Sequence, residues 1–216
     1  MRVLQWLLKL LYPPKCVFCT ELLKDEETDI CGHCRRSIPR LEQPVKRGSF
    51  FEACHSLYDY EDKVADAVKR FKFRGRSQYA VCFGSLIAME LLRRNVEFDY
   101  ITWAPVSRRR RRKRGYDQGQ LLAKQIARDL QMPWGRALEK IRDNPPQSTR
   151  KDVAARQGNV LNVYRGVNTE QWKGKRVLVV DDVITSGATL SECCRILKTA
   201  GAGSLVCASF AAAKKQ

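Results

Sequence analysis

Near the end of the chain, Val177-Leu178-Val179-Val180 runs straight into Asp181-Asp182-Val183-Ile184-Thr185-Ser186-Gly187-Ala188-Thr189. The aliphatic run reads as a buried strand, followed by an acidic pair and a small, hydroxyl-rich loop that opens a helix. Ligands of open α/β sheets bind beyond the carboxyl ends of strands, where this loop must lie. Backbone N–H groups at a helix N-terminus suit a phosphate, and Gly187 permits close approach. Thr185, Ser186 and Thr189 add hydroxyl donors. Two adjacent carboxylates cannot help a phosphate and need another task. Hydrogen bonds to a ribose diol are the natural one, with the loop holding the 5′-phosphate of that sugar.

Spacing argues against three alternatives. No G-x-x-x-x-G-K-[ST] phosphate loop occurs, since Gly174-Lys175 is followed by Arg176. No G-x-G-x-x-G follows a strand. An aspartyl-phosphate enzyme wants a second Asp two residues after the first, where this chain has Val183.

A second constellation lies at the other end. Cys16-Val17-Phe18-Cys19 and Cys31-Gly32-His33-Cys34 are two Cys-x-x-Cys pairs with 11 residues between them. Each pair can present two thiolates to one tetrahedral Zn²⁺, which we expect in preference to an iron–sulfur cluster or a redox pair. Gly32 suits a tight knuckle turn, and His33 is expected to be exposed. With Cys16, Cys19, Cys31 and Cys34 all bound, the metal has no open position and is structural. Cys54, Cys82, Cys193, Cys194 and Cys207 sit among apolar residues and read as buried thiols.

The third feature is Arg108 to Arg114, seven cations in a row. On its own it reads as a solvated loop or a nucleic-acid patch. It contributes to a balance of 40 Lys and Arg against 23 Asp and Glu, net +17, which implies an anionic partner. The 216 residues, 44% hydrophobic and 29% charged, exclude a wholly disordered chain and leave room for one domain plus a small module.

The remaining pattern supplies the elements that position these groups. A zinc module over residues 1–48 is followed by a main domain over 49–216. Residues 50–60 read as a strand, with Asp59 capping a helix over 61–73, and a second helix follows over 79–94. Tyr100 to Val106 reads as a buried strand and 118–130 as a helix. The strand from Arg176 leads to a helix over 188–200, ended by Gly201, and a strand over 204–210. Strands alternating with helices predict an α/β fold with a mostly parallel sheet covered on both faces. The amphiphilic stretch Met1–Tyr12 is too short to span a bilayer and lacks a cleavage site, so it is expected to dock as a short helix. No segment reaches 18 uninterrupted apolar residues, and a soluble, cytoplasmic protein is expected.

Asp181 to Thr189 resembles the PRPP-binding loop of type I phosphoribosyltransferases. The whole stretch from Pro13 to Ala211 resembles the ComF/GntX family, which joins a Cys-x-x-Cys zinc finger to such a domain. Arg112-Lys113-Arg114-Gly115-Tyr116-Asp117-Gln118 and Gln147 with Arg156-Gln157-Gly158-Asn159-Val160 are similar to that family too. The resemblance implies the type I phosphoribosyltransferase sheet, PRPP with Mg²⁺ as ligand, Asp181 and Asp182 on the ribose, and Thr185 to Thr189 on the 5′-phosphate. It also implies pyrophosphate binding by the basic run, foremost Arg108 and Arg114; from the polar stretch after Pro145-Pro146, Gln147, Arg150 and Arg156 are expected to form a lid over the site. Catalysis, if present, would displace pyrophosphate from C1 with no side-chain nucleophile; the alternative is a binding protein without turnover. The family link points to natural competence, with single-stranded DNA or other nucleic acid and competence-machinery proteins as partners. Asp117 replaces the usual Asn, Ser186 a common Thr, and Thr185 the Asp base of 6-oxopurine enzymes.

Overall fold

The computed structural model describes residues 13–43, 46–142 and 163–214. The expected N-terminal helix over Met1–Tyr12 and the lid residues Gln147, Arg150 and Arg156 lie outside the described residues. After the first cysteine pair comes a short helix α1 (Gly32–Ser37), then β1 (Lys46–Gly48) and β2 (Phe51–Asp59). Helices α2 (Asp62–Phe73) and α3 (Tyr79–Arg93) lead to β3 (Tyr100–Trp103). The chain continues through α4 (Arg108–Arg114), α5 (Gln118–Leu130), β4 (Leu138–Lys140) and β5 (Tyr164–Gly166). It closes with β6 (Arg176–Ile184), α6 (Ala188–Thr199) and β7 (Ser204–Ala212). The main sheet has the order β1-β2-β7-β6-β3, with four parallel strands and only β1 antiparallel.

Alternation along each strand sends successive side chains to opposite faces. Leu57, Ile101, Leu178, Val180, Ala208 and Phe210 face α2, α3, α5 and the cysteine knuckle. Cys54, Tyr100, Val177, Val179, Leu205 and Cys207 face α6 and the small β4–β5 sheet. Between α5 and β4 the chain rounds the free edge of β3, where Trp134 bridges Ile101. Both faces are covered, as the unbroken aliphatic run of β6 requires. The five cysteines outside the knuckle are all buried.

Several local expectations are corrected. Asp59 ends β2 and caps nothing; Glu61 is the N-cap of α2, without a side-chain bond. β3 stops at Trp103, because Pro105 has no N–H to extend the ladder. The seven cations form a helix, capped by Ser107, whose Oγ accepts the Arg110 N–H at 3.3 Å, and ended by Gly115 at φ 82°. Gly32 is the first residue of α1; the left-handed positions of the knuckle are Thr20 (φ 68°) and Asp29 (φ 59°).

The knuckle is welded to the sheet domain. Phe18, 2% exposed, meets Tyr58 edge-on at 5.5 Å and stacks at 6.2 Å on Phe210, which itself stacks on Phe83 at 3.8 Å. Phe18→Ala is expected to cost about 3–5 kcal/mol in urea unfolding, the range for truncating a buried Phe. A cost below about 0.5 kcal/mol, typical of surface substitutions, would show that the knuckle does not pack there.

Candidate functional site

β6 outruns its neighbour. Pairing with β3 ends at Trp103↔Val180, and the Ala104 N–H makes a closing bond to the Val180 carbonyl at 3.0 Å. Pairing with β7 continues from Asp181↔Ser209 to Ile184↔Ala212. Asp181 and Asp182 therefore stand on a ledge, supported by β7 on one side and open where β3 has turned away. The N-terminus of α5 closes in below: a Cβ on Gly119 would lie 3.2 Å from Trp103 Cβ and 3.3 Å from the Ala104 carbonyl oxygen.

The pleat divides the two acids between the faces. Asp182 is buried on the α2 side, its Oδ1 2.8 Å from Lys72 Nζ. Asp181 lies on the α6 side, where its charge acts on Tyr164 and Cys193, and its Oδ1 accepts the Asp182 N–H at 2.8 Å. Burial, with the Asp182 carboxylate adding repulsion and Lys72 opposing it, pushes the Asp181 carboxyl up to about 8.

Beyond the acids the backbone turns into α6 through Gly187, at φ 78° in the left-handed region that glycine tolerates best. Thr185 is exposed, while Ser186 and Thr189 are half-buried. Ser186 Oγ accepts the Ala188 N–H at 3.4 Å, and the first intrahelical bond runs from Ser191 N–H to the Gly187 carbonyl. The N–H groups ahead of that bond have no partner within the helix. They form the positive end of a twelve-residue helix one turn from the acids.

α4 brings cations to the same ledge, though not all seven. Arg114 is half-buried; its Nη1 donates to Gln118 Oε1 at 2.7 Å, its guanidinium lies 4.8 Å over the Phe73 ring, and its charge interacts with Asp182. Arg108 is exposed and lies 3.5 Å from Glu139 of β4, which also pairs with Arg136 and Arg165. Arg109 to Lys113 are exposed. Asp117, where an Asn was expected from the resemblance, has a structural task. Buried at 5% exposure, it accepts from Val106 N–H at 3.0 Å and Gln120 N–H at 3.2 Å, capping α5 and pinning the end of β3.

The second site is the cysteine cluster. The Sγ atoms of Cys16, Cys19, Cys31 and Cys34 lie within 4.8 Å of one another, and Cys19 and Cys31 are 3.7 Å apart. A tetrahedron of thiolates about 2.3 Å from Zn²⁺ has edges of about 3.8 Å. The donors fit the metal. His33 is exposed, outside this set.

A phosphoribosyl transferase domain model matches residues 117–216, and a double zinc ribbon domain model matches residues 7–46. The chain is 28% identical over 182 residues to the DNA utilization protein YhgH of Escherichia coli K12, covering 81% of this chain and 74% of that protein. It is 27% identical to competence protein F of Haemophilus influenzae, covering 79% and 73%. It is 26% identical to competence protein ComFC of Bacillus subtilis, covering 86% and 78%. Over most of its length the chain is similar to these DNA utilization and competence proteins. Its zinc ribbon and phosphoribosyltransferase domain account for the cysteine cluster and for the acid ledge with its turn. No helix among the described residues is long and apolar enough to cross a membrane.

The structure thus brings together Asp181, Asp182, the 185–189 turn and Arg114, and leaves Arg108 on the outer rim. Lys72 was not foreseen. Its only sequence signal is a cation between Phe71 and Phe73 at the end of an amphipathic helix, a pattern that solvated lysines share.

The ledge makes a pH-dependent prediction. An unfolded Asp ionises near about 3.9, so the folded state holds an extra proton from there up to about 8. Ionising Asp181 then costs stability progressively as pH rises through that window. Asp181→Asn should raise the melting temperature of the ligand-free protein slightly at pH 5 and clearly more at pH 9. An equal gain at both pH values would contradict the assignment.

Proposed function

We propose that the chain binds PRPP on the ledge at the end of β6. The observation that carries this reading is the order of groups along one unbroken backbone stretch: two acidic residues on the half-supported end of β6, then a left-handed glycine, then a helix N-terminus. Carboxylates accept from hydroxyls, while the turn donates to a phosphate, so the arrangement suits a ribose 5-phosphate end to end. Asp181 and Asp182 take the ribose hydroxyls, and Thr185, Ser186, Gly187, Ala188 and Thr189 take the 5′-phosphate. The pyrophosphate falls toward α4, where Arg114 interacts with Asp182 and Arg108 is paired with Glu139 until an anion competes for it. Gln147, Arg150 and Arg156, which lie outside the described residues, are proposed as a lid that closes over the bound ligand. Mg²⁺ would arrive with PRPP and neutralise pyrophosphate oxygens.

On this reading the residues hold the sugar and stabilise the departing pyrophosphate electrostatically, while an acceptor nucleophile bonds to C1. No side chain needs to attack. The protein works in the cytoplasm, and the zinc module ends near residue 48. Calorimetry with PRPP and Mg²⁺ should show binding that weakens at least about tenfold, or 1.4 kcal/mol, in Asp181→Asn and in Asp182→Asn. Pyrophosphate release across candidate acceptors then separates transfer from binding alone. Wild-type protein that gives no heat with PRPP contradicts the reading.

A second observation favours a nucleic-acid partner. α4 exposes Arg108 to Lys113, and beside it Phe73 is 64% exposed under the Arg114 guanidinium. A cationic ridge with an exposed aromatic suits single-stranded DNA, whose phosphates pair with arginine and whose bases stack. The names of the relatives, DNA utilization protein and competence protein, accord with a role in DNA uptake alongside competence proteins. Affinity for an oligothymidylate should fall steeply with salt, and neutralising Arg109 to Arg112 should flatten that slope by roughly three units. Salt-independent binding would contradict it.

A further inference from the structure

The last turn of α2 touches both sites at once. Arg70 Nη2 donates to the carbonyl oxygens of Val17 at 2.9 Å and Phe18 at 2.7 Å, inside the first Cys-x-x-Cys loop. Two residues later, Lys72 Nζ lies 2.8 Å from Asp182 Oδ1, with side chains only 18% and 9% exposed. Residues two apart on a helix point about 200° apart around its axis, so one turn can hold the zinc knuckle on one side and the ledge on the other. Phe71 between them is fully buried, edge-on to Phe83 at 5.5 Å and 5.9 Å from Tyr116, whose hydroxyl donates to the Phe71 carbonyl. The turn has no room to slide.

Resting on the reading that Asp182 holds the ribose of PRPP, we propose that Lys72 is a positioning residue of that site, and that the zinc knuckle holds Lys72 in place through Arg70. The charges facing Asp182 explain the need. Asp181 from its own strand and Asp117 at the start of α5 are acidic, while Lys72 from α2 and Arg114 from α4 are cationic. Arg114 is also engaged with Gln118 and Phe73, which leaves Lys72 as the direct counter-ion. A buried carboxylate without a partner takes up a proton or turns out to water. A free lysine loses rotamer entropy when fixed. A helix end clamped beforehand by Arg70 and Phe71 lets that side chain start from the right place. The zinc ribbon is then a support of the ligand site as well as a module in its own right.

The test reads the ledge directly, without ligand. The Asp182 amide donates to Asp181 Oδ1, so its ¹⁵N–¹H signal follows the protonation of Asp181, with a midpoint of about 8 in the wild type. Lys72→Met should raise that midpoint by about one pH unit, a tenfold change in proton affinity, and Lys72→Arg should restore most of it. Arg70→Met, still carrying about one zinc per chain, should move the midpoint the same way by a smaller amount. An unmoved midpoint in Lys72→Met overturns the positioning role. An unmoved midpoint in zinc-loaded Arg70→Met overturns the link to the knuckle. Calorimetry with PRPP and Mg²⁺ should show binding weakened roughly tenfold in Lys72→Met. Absence of heat in the wild type would remove PRPP as the ligand, while the titration would still decide whether Lys72 positions Asp182.

Discussion

Everything about the ligand site follows from one mismatch in strand length. β3 leaves the sheet after Trp103, at a proline, while β6 continues for four more residues against β7. Had both strands ended together, Asp181 and Asp182 would lie within the ladder, covered on both sides. Had β7 also stopped, nothing would hold their backbone in register. The half-supported extension leaves the Asp181–Asp182 stretch open along one edge of the sheet, on the side β3 has left, while β7 keeps its main chain rigid. It also aims the chain so that Gly187 can turn directly into α6.

Rigidity at that edge comes from several directions. Asp117 ties the departing end of β3 to the start of α5, and Gly119 allows that helix to press against Trp103 and Ala104. From the other side, α2 is pinned by Phe71, edge-on to Phe83, and by the Arg70 clamp on the knuckle. The two faces of the sheet thereby serve different ends. One face carries the zinc ribbon and Lys72, and the other carries α6, whose N-terminus follows directly on the Gly187 turn.

Much of this was legible in the residues because the signals are local. The aliphatic run of β6, the two Cys-x-x-Cys pairs and the glycine turn into α6 each occupy a few consecutive positions, and the structure has them where they were read. Buried thiols outside the knuckle were equally readable from their apolar neighbours. What escaped depends on distance along the chain. Lys72 meets Asp182 across 110 residues of sequence, and nothing near either residue announces the other. The divergence of the two acids could not be seen while β6 was thought to end at Val180; once the strand runs on, the pleat separates them. The basic run read as a loop because seven like charges disfavour order, yet Ser107 and Gly115 supply a cap at each end and make a helix. β4 and β5 are three residues each, too short for any periodicity.

The central claim is that a sugar phosphate lies on the ledge with its 5′ end on the glycine turn. Ribose 5-phosphate, which lacks the pyrophosphate, isolates that half of the contact. In a ¹⁵N–¹H titration with this compound, the amide signals of Ser186 to Thr189 and of Asp182 should move together while those of Arg108 to Lys113 stay in place. Movement confined to Arg108–Arg114, with the Gly187 turn unchanged, would contradict the account.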